Sequence, residues 1–192
     1  MIAIIDYDAG NVKSVQNALK KLGFEAVITS DIETIKNADK VIFPGVGEAS
    51  SAMKKLKERG LDAVIPNLKQ PVLGICLGMQ LMCNASEEGN TKALGIFDCE
   101  VKLFPNSDIV PHMGWNNVSE RKGKLLENIS ETDNFYFVHS YYAEIGESTT
   151  SVCDYITPFS ATLEKDNFYA AQFHPEKSGD AGFKLLENFL KI

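Results

Sequence analysis

The sequence lacks three features that would mark whole classes of protein. Its four cysteines, Cys76, Cys83, Cys99 and Cys153, lie far apart and form no Cys-x-x-Cys pair, which argues against a disulfide framework and a zinc site. No apolar run reaches the roughly 18 residues of a membrane span. Positively charged residues are fewer than negatively charged ones, since the chain has 19 Lys and Arg and 26 Asp and Glu, which gives a net charge of −7. We therefore expect a cytoplasmic protein that binds neither nucleic acid nor membranes.

The composition that remains is that of an ordinary globular domain. The chain has 192 residues, of which 44% are hydrophobic and 23% charged, so it can bury a core without help from disulfides or metals. No linker, internal repeat or low-complexity segment divides it. We predict one domain over residues 1–192.

The first half alternates between short apolar runs and helical patterns. Uninterrupted apolar runs at residues 2–5, 26–28, 41–43 and 72–75 are typical of strands that are buried on both faces. Helical patterns lie between them at residues 12–22, 32–35 and 50–59. Asn11 and Asp31 are predicted N-caps of the first two helices. The order of these elements predicts a parallel sheet with right-handed crossovers.

From about residue 95 the pattern changes to short strand-like segments separated by polar turns. These segments cover residues 99–104, 135–144, 151–155, 160–163 and 169–173. The sequence Lys165-Asp166-Asn167 has the composition of a hairpin turn. A helix with one apolar face, at residues 180–192, closes the chain. We predict an α/β fold with an open, mostly parallel sheet, flanking helices and an antiparallel extension of that sheet in the C-terminal half.

One stretch, Gly-Ile-Cys-Leu-Gly at residues 74–78, joins a strand pattern directly to a helix pattern at residues 77–85. This layout is typical of a nucleophile elbow with cysteine in the place of serine. A Cβ at Gly74 or Gly78 would collide with the backbone that such a turn brings close. The first turn of the following helix favours a thiolate at Cys76, and the amide of Leu77 is a candidate oxyanion donor. The alternative is a buried cysteine on an ordinary strand-to-helix turn.

A second glycine-bearing turn, Gly45-Val46-Gly47, follows the third predicted strand. Ligands of open α/β sheets bind beyond the carboxyl ends of the strands, so this turn and the turn at Cys76 are expected at one crevice. Backbone amides of a Gly-Val-Gly turn can face an anion. The turn matches neither a phosphate-binding loop nor a dinucleotide fingerprint. The alternative is a turn that only lets the chain change direction.

A thiol nucleophile needs a base, and the chain offers only His112, His139 and His174. His174 precedes a proline, which pushes it into an extended conformation. Residues two apart in an extended segment share a face, so Glu176 is expected to reach the imidazole and hold its tautomer. Cys76, His174 and Glu176 are therefore a candidate catalytic triad assembled by the fold. A histidine with a purely structural role is the alternative.

These two motifs, Gly-Ile-Cys-Leu-Gly-Met-Gln at residues 74–80 and His-Pro-Glu-Lys-Ser at residues 174–178, closely resemble those of the class I, or triad, glutamine amidotransferases. Within that family the chain is similar to the glutaminase subunits of imidazole glycerol phosphate synthases, which serve histidine biosynthesis. The segments that carry this finer resemblance are residues 6–7, 10–11, 44–47, 111–116 and 137–141. The resemblance covers essentially the whole chain and implies a flavodoxin-like α/β fold.

The resemblance also implies a role for each site residue. Cys76 would attack the side-chain amide of L-glutamine, with His174 as base and then acid and Glu176 as its partner, so that a thioester is formed and hydrolysed. The implied oxyanion donors belong to Leu77, Val46 and Gly47. The implied glutamine-binding residues are Gly45, Gln80, Ser140 and Tyr141. No metal, nucleotide or redox cofactor is implied.

A partner follows from the same resemblance, namely a (β/α)₈-barrel cyclase subunit in a heterodimer. Ammonia would pass to this partner, which would convert the ribulosyl nucleotide PRFAR to imidazole glycerol phosphate and AICAR. The residues expected to face the partner are Asn11, Met113, Trp115, Asn116, Tyr136 and Lys177. Trp115 is the only tryptophan and lies in a segment of loop-like composition, which suits an interface anchor. The alternative is a tryptophan that covers the core.

Three other functions are open. A peptidase or chaperone-like hydrolase on the same scaffold usually has histidine directly after the cysteine, where this chain has Leu77. A non-catalytic interaction module would have no reason to keep Cys76, His174 and Glu176 together. A glutaminase that feeds a different synthase is opposed mainly by the segment at residues 111–116.

Overall fold

The computed structural model describes residues 1–192, and its centre is a seven-stranded sheet. The strands in chain order are β1 (Ile2–Ile5), β2 (Ala26–Thr29), β3 (Lys40–Gly45), β4 (Val72–Cys76), β5 (Ala85–Ser86), β6 (Thr91–Lys92), β7 (Glu100–Leu103), β8 (His112–Asn116), β9 (Phe135–His139), β10 (Tyr141–Ala143), β11 (Thr149–Asp154), β12 (Pro158–Lys165) and β13 (Phe168–Ala171). The helices are α1 (Val12–Lys21), α2 (Ile32–Lys36), α3 (Ala49–Glu58), α4 (Leu61–Val64), α5 (Leu77–Leu81) and α6 (Gly179–Lys191), with short 3-10 turns at Ile65–Asn67, Glu88–Asn90 and Pro175–Lys177.

The central sheet has the order β11-β12-β13-β4-β3-β1-β2. The strands from β13 to β2 run parallel, and β12 and β11 add an antiparallel edge. The predicted α/β fold with a mostly parallel sheet is therefore confirmed. The predicted hairpin between β12 and β13 is also present, and Asp166 adopts a positive φ of 54° in its turn.

Side chains on the two faces of the sheet belong to two separate cores. In β1, Ile2 and Ile4 join one core, whereas Ala3 and Ile5 join the other, because successive residues of a strand point to opposite faces. Helices α1 and α6 cover the first core, and α2, α3, α4 and α5 cover the second. Both faces of β1, β3 and β4 are thereby buried, which explains their apolar runs. Strand β2 was also predicted to be buried on both faces, but it lies at the edge of the sheet and its Val27 is 44% exposed.

The antiparallel part departs from the prediction. Residues 99–104 and 135–144 were expected to extend the central sheet, but β7 and β10 instead belong to a four-stranded sheet with the order β10-β7-β5-β6. Strand β9 pairs with β8 in a separate two-stranded sheet. The segment at residues 111–116 is thus a strand and not the predicted loop. The last predicted segment, β13, runs parallel to β4 and antiparallel only to β12.

Helix ends agree in part with the predictions. The side chain of Asp31 accepts a hydrogen bond from the Thr34 amide at 2.8 Å, as expected of an N-cap. Asn11 occupies the predicted N-cap position of α1, but its side chain makes no such bond, and only its carbonyl accepts, from the Val15 amide. None of the helices combines the length and the apolar character that crossing a membrane requires.

Candidate active site

Cys76 occupies a strained turn between strand β4 and helix α5. Its backbone has φ 54° and ψ −110°, a conformation that residues with a side chain rarely adopt. Strand β4 ends at Cys76 and α5 begins at Leu77, so the predicted elbow is present. Helix α5 is shorter than the predicted helical run through residue 85, because it ends at Leu81.

Two glycines allow this turn to pack closely. A Cβ on Gly78 would lie 1.9 Å from the carbonyl oxygen of Phe43 in β3, and a Cβ on Gly74 would lie 2.5 Å from the sulfur of Met82. The predicted collision with backbone is therefore confirmed at Gly78. At Gly74 the closest atom belongs to a side chain, and the nearest backbone atom, the Met79 nitrogen, would be 3.0 Å away. Backbone therefore packs directly on backbone around Cys76, which holds the sulfur at the carboxyl edge of the sheet.

His174 and Glu176 form a buried pair beside this edge. Nδ1 of His174 lies 2.9 Å from Oε1 of Glu176, and both side chains are almost fully buried. His174 is extended, with φ −96° and ψ 97°, as the following proline predicts. Glu176 lies in the 3-10 turn Pro175–Lys177, and not in the extended segment that the sequence suggested. The predicted contact between His174 and Glu176 is therefore present, but a 3-10 turn and not an extended segment brings the two side chains together.

The second ring nitrogen of His174, Nε2, is buried without a hydrogen-bond partner. Burial lowers the pKa of His174, but the charges and hydrogen-bonding capacity of Cys76 and Glu176 outweigh it and raise the pKa to about 10. The imidazole is therefore well suited to take a proton from the Cys76 thiol and to hold it as an imidazolium.

Cys76 and His174 line one pocket of about 370 Å³, large enough for an amino-acid substrate. Of the other residues predicted for the site, the pocket is lined by Val46, Gly47, Leu77, Gln80, Ser140 and Tyr141. Glu176 lies behind His174, and Gly45 pairs with Cys76 across β3 and β4 without lining the pocket. No cluster of three His, Cys, Asp or Glu side chains is arranged to hold a metal ion.

The pocket includes residues that sequence reasoning did not assign, namely Glu88, Pro111, Val138 and His139. Glu88 is the acidic residue of the lining, and one of its oxygens accepts a hydrogen bond from the Ala49 amide at 2.8 Å. Partial burial raises the pKa of Glu88. Its location in the 3-10 turn Glu88–Asn90 leaves no local sequence signal that could have found it.

The other two histidines are paired with each other. Nδ1 of His112 lies 3.0 Å from Nε2 of His139, and Nδ1 of His139 lies 2.7 Å from the Tyr141 carbonyl oxygen. Because a carbonyl only accepts, His139 donates from Nδ1, and His112 must in turn donate to Nε2 of His139. Neither ring has a carboxylate partner, so His174 is the best candidate for a base.

We expect this histidine pair to make the fold sensitive to acid. Burial lowers the pKa of His112 from 6.5 to about 4 and that of His139 to about 3. The unfolded chain takes up these protons near pH 6.5, so the stabilisation is complete above pH 6.5 and is lost as the pH falls towards 4. Chemical denaturation at pH 7 and 4.5 should show a loss of about 2 kcal/mol for each histidine.

The variant His112→Asn keeps a donor near the position of Nδ1 but does not titrate. Its free energy of unfolding should fall less between pH 7 and 4.5 than that of the wild type, by about 2 kcal/mol. The carboxylates contribute equally in both proteins, so the difference between the two falls in unfolding free energy is due to His112. An equal loss in both proteins would show that His112 is not held neutral by the fold.

Four of the six residues predicted to meet a partner, Met113, Trp115, Asn116 and Tyr136, lie in the two-stranded sheet. Met113 and Trp115 of β8 are 61% and 59% exposed, so Trp115 does not cover the core. Trp115 pairs with Tyr136 of β9, with ring centroids 5.8 Å apart. The Asn116 side chain donates to the Asp154 carbonyl at 3.3 Å. The remaining two positions are the half-buried Asn11, just before α1, and the exposed Lys177, next to Glu176.

Comparison with known proteins agrees with this geometry. The family model described as glutamine amidotransferase class-I matches residues 3–192. The chain is 59% identical over 194 residues to the imidazole glycerol phosphate synthase subunit HisH of Bacteroides fragilis strain YCH46, covering 100% of this chain and 99% of the relative. The subunits of the same name from Bacteroides thetaiotaomicron and Methanococcus maripaludis are 57% and 48% identical, at 100% and 99% coverage in each case.

Two solved structures share the fold. A glutamine amidotransferase superposes with a TM-score of 0.76 at 19% identity, covering 100% of this chain and 98% of its own. The structure of PurLQS from Thermotoga maritima superposes with a TM-score of 0.73 at 15% identity, covering 99% of this chain and 97% of the matched chain. At these identities the superpositions support the architecture alone.

Proposed function

The chain belongs to the class-I glutamine amidotransferase family, and from this premise we propose that it is the glutaminase subunit of an imidazole glycerol phosphate synthase. It hydrolyses L-glutamine to L-glutamate and ammonia, acting as one domain over residues 1–192. The observation that carries the proposal is the placement of Cys76, on a strained elbow, in the same pocket as the buried pair of His174 and Glu176. The extensive identity to the HisH subunits supports the choice of synthase.

The proposed reaction begins with proton transfer from the Cys76 thiol to Nε2 of His174. The sulfur attacks the side-chain amide carbon of glutamine, and the imidazolium returns the proton to the departing nitrogen, which leaves as ammonia. Water, activated by the same imidazole, then hydrolyses the γ-glutamyl thioester to glutamate and restores the thiol. Glu176 keeps His174 in the required tautomer and stabilises the imidazolium.

The oxyanion of each tetrahedral intermediate is assigned to backbone amides near Cys76. The candidates are those of Leu77, at the start of α5, and of Val46 and Gly47, in the turn after β3. These two segments are neighbours because Gly45 pairs with Cys76 across the sheet. Amides fixed in advance at such a position favour the charge that develops in the transition state.

Recognition of glutamine is assigned to three polar residues that line the pocket, namely Gln80, Ser140 and Tyr141. Ser140 lies between β9 and β10, Tyr141 is the first residue of β10, and Gln80 lies on α5, one turn beyond Cys76. Gly45 supports this wall from the strand behind it. Glu88 adds a carboxylate whose negative charge complements the α-ammonium group of the substrate.

The ammonia acceptor is proposed to be a (β/α)₈-barrel cyclase subunit in a heterodimer, which converts PRFAR to imidazole glycerol phosphate and AICAR in the cytoplasm. The surface offered to it includes Met113 and Trp115, large apolar side chains that are mostly exposed here. The backbone of Val138, on the neighbouring strand β9, lies against the Cys76 sulfur at 3.9 Å. The candidate interface is thus continuous with the pocket.

A glutaminase assay with and without the cyclase subunit tests this function. Glutamate release by the isolated chain should be low and should rise strongly when the cyclase and PRFAR are added. The variant Trp115→Ala should weaken cyclase binding at least about 30-fold, the cost of losing a buried aromatic anchor. The control Phe24→Ala removes a half-exposed aromatic at the opposite, amino end of β2 and should bind normally.

Other outcomes decide between the remaining functions. Stimulation by another synthase, but not by the cyclase, would assign the chain to a different ammonia acceptor. No glutamate release under any condition would favour a non-catalytic module on the same scaffold. Full activity without a partner would contradict the proposed dependence on the cyclase.

A further inference from the structure

Gln172 lies beside the nucleophile, and its position follows from strand register. Strand β13 runs parallel to β4 with Ala171 opposite Ile75, so the next residues along, Gln172 and Cys76, are neighbours. The Gln172 amide continues the ladder by donating to the Ala161 carbonyl at 2.9 Å. Its side chain is fully buried, and Nε2 lies 3.8 Å from the sulfur of Cys76.

The orientation of the Gln172 amide is set by a chain of hydrogen bonds. Nε2 of Gln80 donates to the Tyr141 carbonyl at 2.9 Å, and this bond fixes which end of Gln80 is the donor, since a carbonyl only accepts. The same Nε2 donates to Oε1 of Gln172 at 3.0 Å. The oxygen of Gln172 is therefore occupied, and its NH₂ group is the end that faces Cys76.

The two contacts of the Cys76 sulfur favour opposite protonation states. The Val138 carbonyl, 3.9 Å away, accepts from the thiol and has nothing to accept once the proton has left. The Gln172 N–H donates to the sulfur, and hydrogen bonds to a charged acceptor are roughly twice as strong as neutral ones. Because the Gln172 side chain is fully buried, this donor acts at low dielectric.

We propose that Gln172 is a catalytic residue of this glutaminase, whose side-chain N–H stabilises the Cys76 thiolate that attacks glutamine. The inference rests on the proposed function for its role in turnover. Its physical basis, a donor aimed at the sulfur, is independent of the substrate. Gln80 then has a second role besides lining the pocket, because it orients Gln172.

The test compares Gln172→Glu and Gln172→Met with the wild-type chain. Glutamate keeps an acceptor for Gln80 and replaces only the NH₂ group that faces the sulfur, whereas methionine has similar volume and no donor. The rate at which iodoacetamide alkylates Cys76 is followed from pH 5 to 10 by mass spectrometry of the peptide that contains it. Both variants should react about tenfold to a hundredfold more slowly at pH 7, with the pH of half-maximal rate displaced upwards.

Turnover gives the second measurement, made on the complex with the cyclase subunit. The kcat for glutamine should fall about tenfold to a hundredfold in both variants, with KM changed less than about twofold, because the lost interaction is to the nucleophile and not to the substrate. Asn167→Asp is the matched control at the other end of β13. The Asn167 amide donates to the Leu68 and Gln70 carbonyls, so this change costs stability but should leave alkylation unchanged.

Three results would overturn the inference. The first is that Gln172→Glu and Gln172→Met are both alkylated with the same pH dependence as the wild-type chain. The second is that Asn167→Asp shows an equally large decrease in the alkylation rate. The third is a raised KM with unchanged kcat, which would assign Gln172 to substrate positioning. If one variant fails to fold, the other carries the same comparison. A wild-type chain that releases no glutamate but shows Gln172-dependent alkylation would refute the proposed function and leave the thiolate role intact.

Discussion

Cys76→Ala is expected to reduce glutamine-dependent synthesis by the reconstituted complex at least about a thousandfold, the usual effect of removing a nucleophile. Synthesis from added ammonium salt should continue at the wild-type rate, because the cyclase needs only ammonia and the structural change is confined to one buried sulfur. Formation of imidazole glycerol phosphate is measured with each nitrogen source, at saturating PRFAR.

Cys99→Ala is the matched control for this experiment. Cys99 is half-buried, lies outside the pocket and should retain both activities. Equal loss of glutamine- and ammonia-dependent synthesis in Cys76→Ala would show that the change damages the complex and not one chemical step. Retention of both activities would remove Cys76 from the proposed mechanism.

The parallel part of the fold could be predicted because its signals are local. The runs that became β1, β3 and β4 are apolar because helices cover both faces of these strands, and the intervening helices carry one apolar face. The N-cap Asp31 could be predicted for the same reason, because its side chain needs only the backbone amide three residues further along the chain.

The antiparallel part could not be predicted to the same level. A strand-like pattern indicates that a segment pairs but not with which partner, and residues 135–144 divide at Ser140 into β9 and β10, which join different sheets. Strand β8 was missed because its Gly114 and neighbouring proline resemble a loop. Its pairing with β9, whose residues lie 19 to 27 positions further along the chain, overrides that local composition.

The candidate site divides in the same way. Cys76 and the pair of His174 and Glu176 were found because the elbow and the His-Pro-Glu motif are each a few residues long. Glu88 and Gln172 were missed because their relation to the pocket exists only in space. Gln172 reaches Cys76 solely through the parallel pairing of β13 with β4, strands that are far apart in sequence.

One edge of the sheet accounts for the whole pocket. The turns after β3, β4 and β13 all leave the carboxyl ends of parallel strands, and they bring Val46, Cys76 and His174 to one crevice. The contact between β8 and β9 adds the third wall, which is also the exposed surface of Trp115. A partner bound there would lie against the pocket that contains Cys76.

The tightest packing in the site gives the second large expected effect. In Gly78→Ala the new methyl group would lie 1.9 Å from the Phe43 carbonyl oxygen and 2.9 Å from its carbon, both in the backbone of β3. Helix α5 must therefore move away from the sheet, and Leu77 and Cys76 move with it. We expect a loss of at least about 3 kcal/mol of folding free energy, or a melting temperature lower by roughly 6–12 °C.

Glutaminase activity of Gly78→Ala should fall at least about a hundredfold at temperatures where the variant is fully folded, since a shift of about 1 Å at a catalytic group has that effect. Gly146→Ala is the control, because its Cβ would meet only ordinary contacts, the nearest at 3.6 Å from the Asp98 carbonyl oxygen. Thermal melts and glutamate release are compared for both variants. Should Gly78→Ala melt and turn over like Gly146→Ala, the close approach of α5 to β3 would not be what holds Cys76 in place.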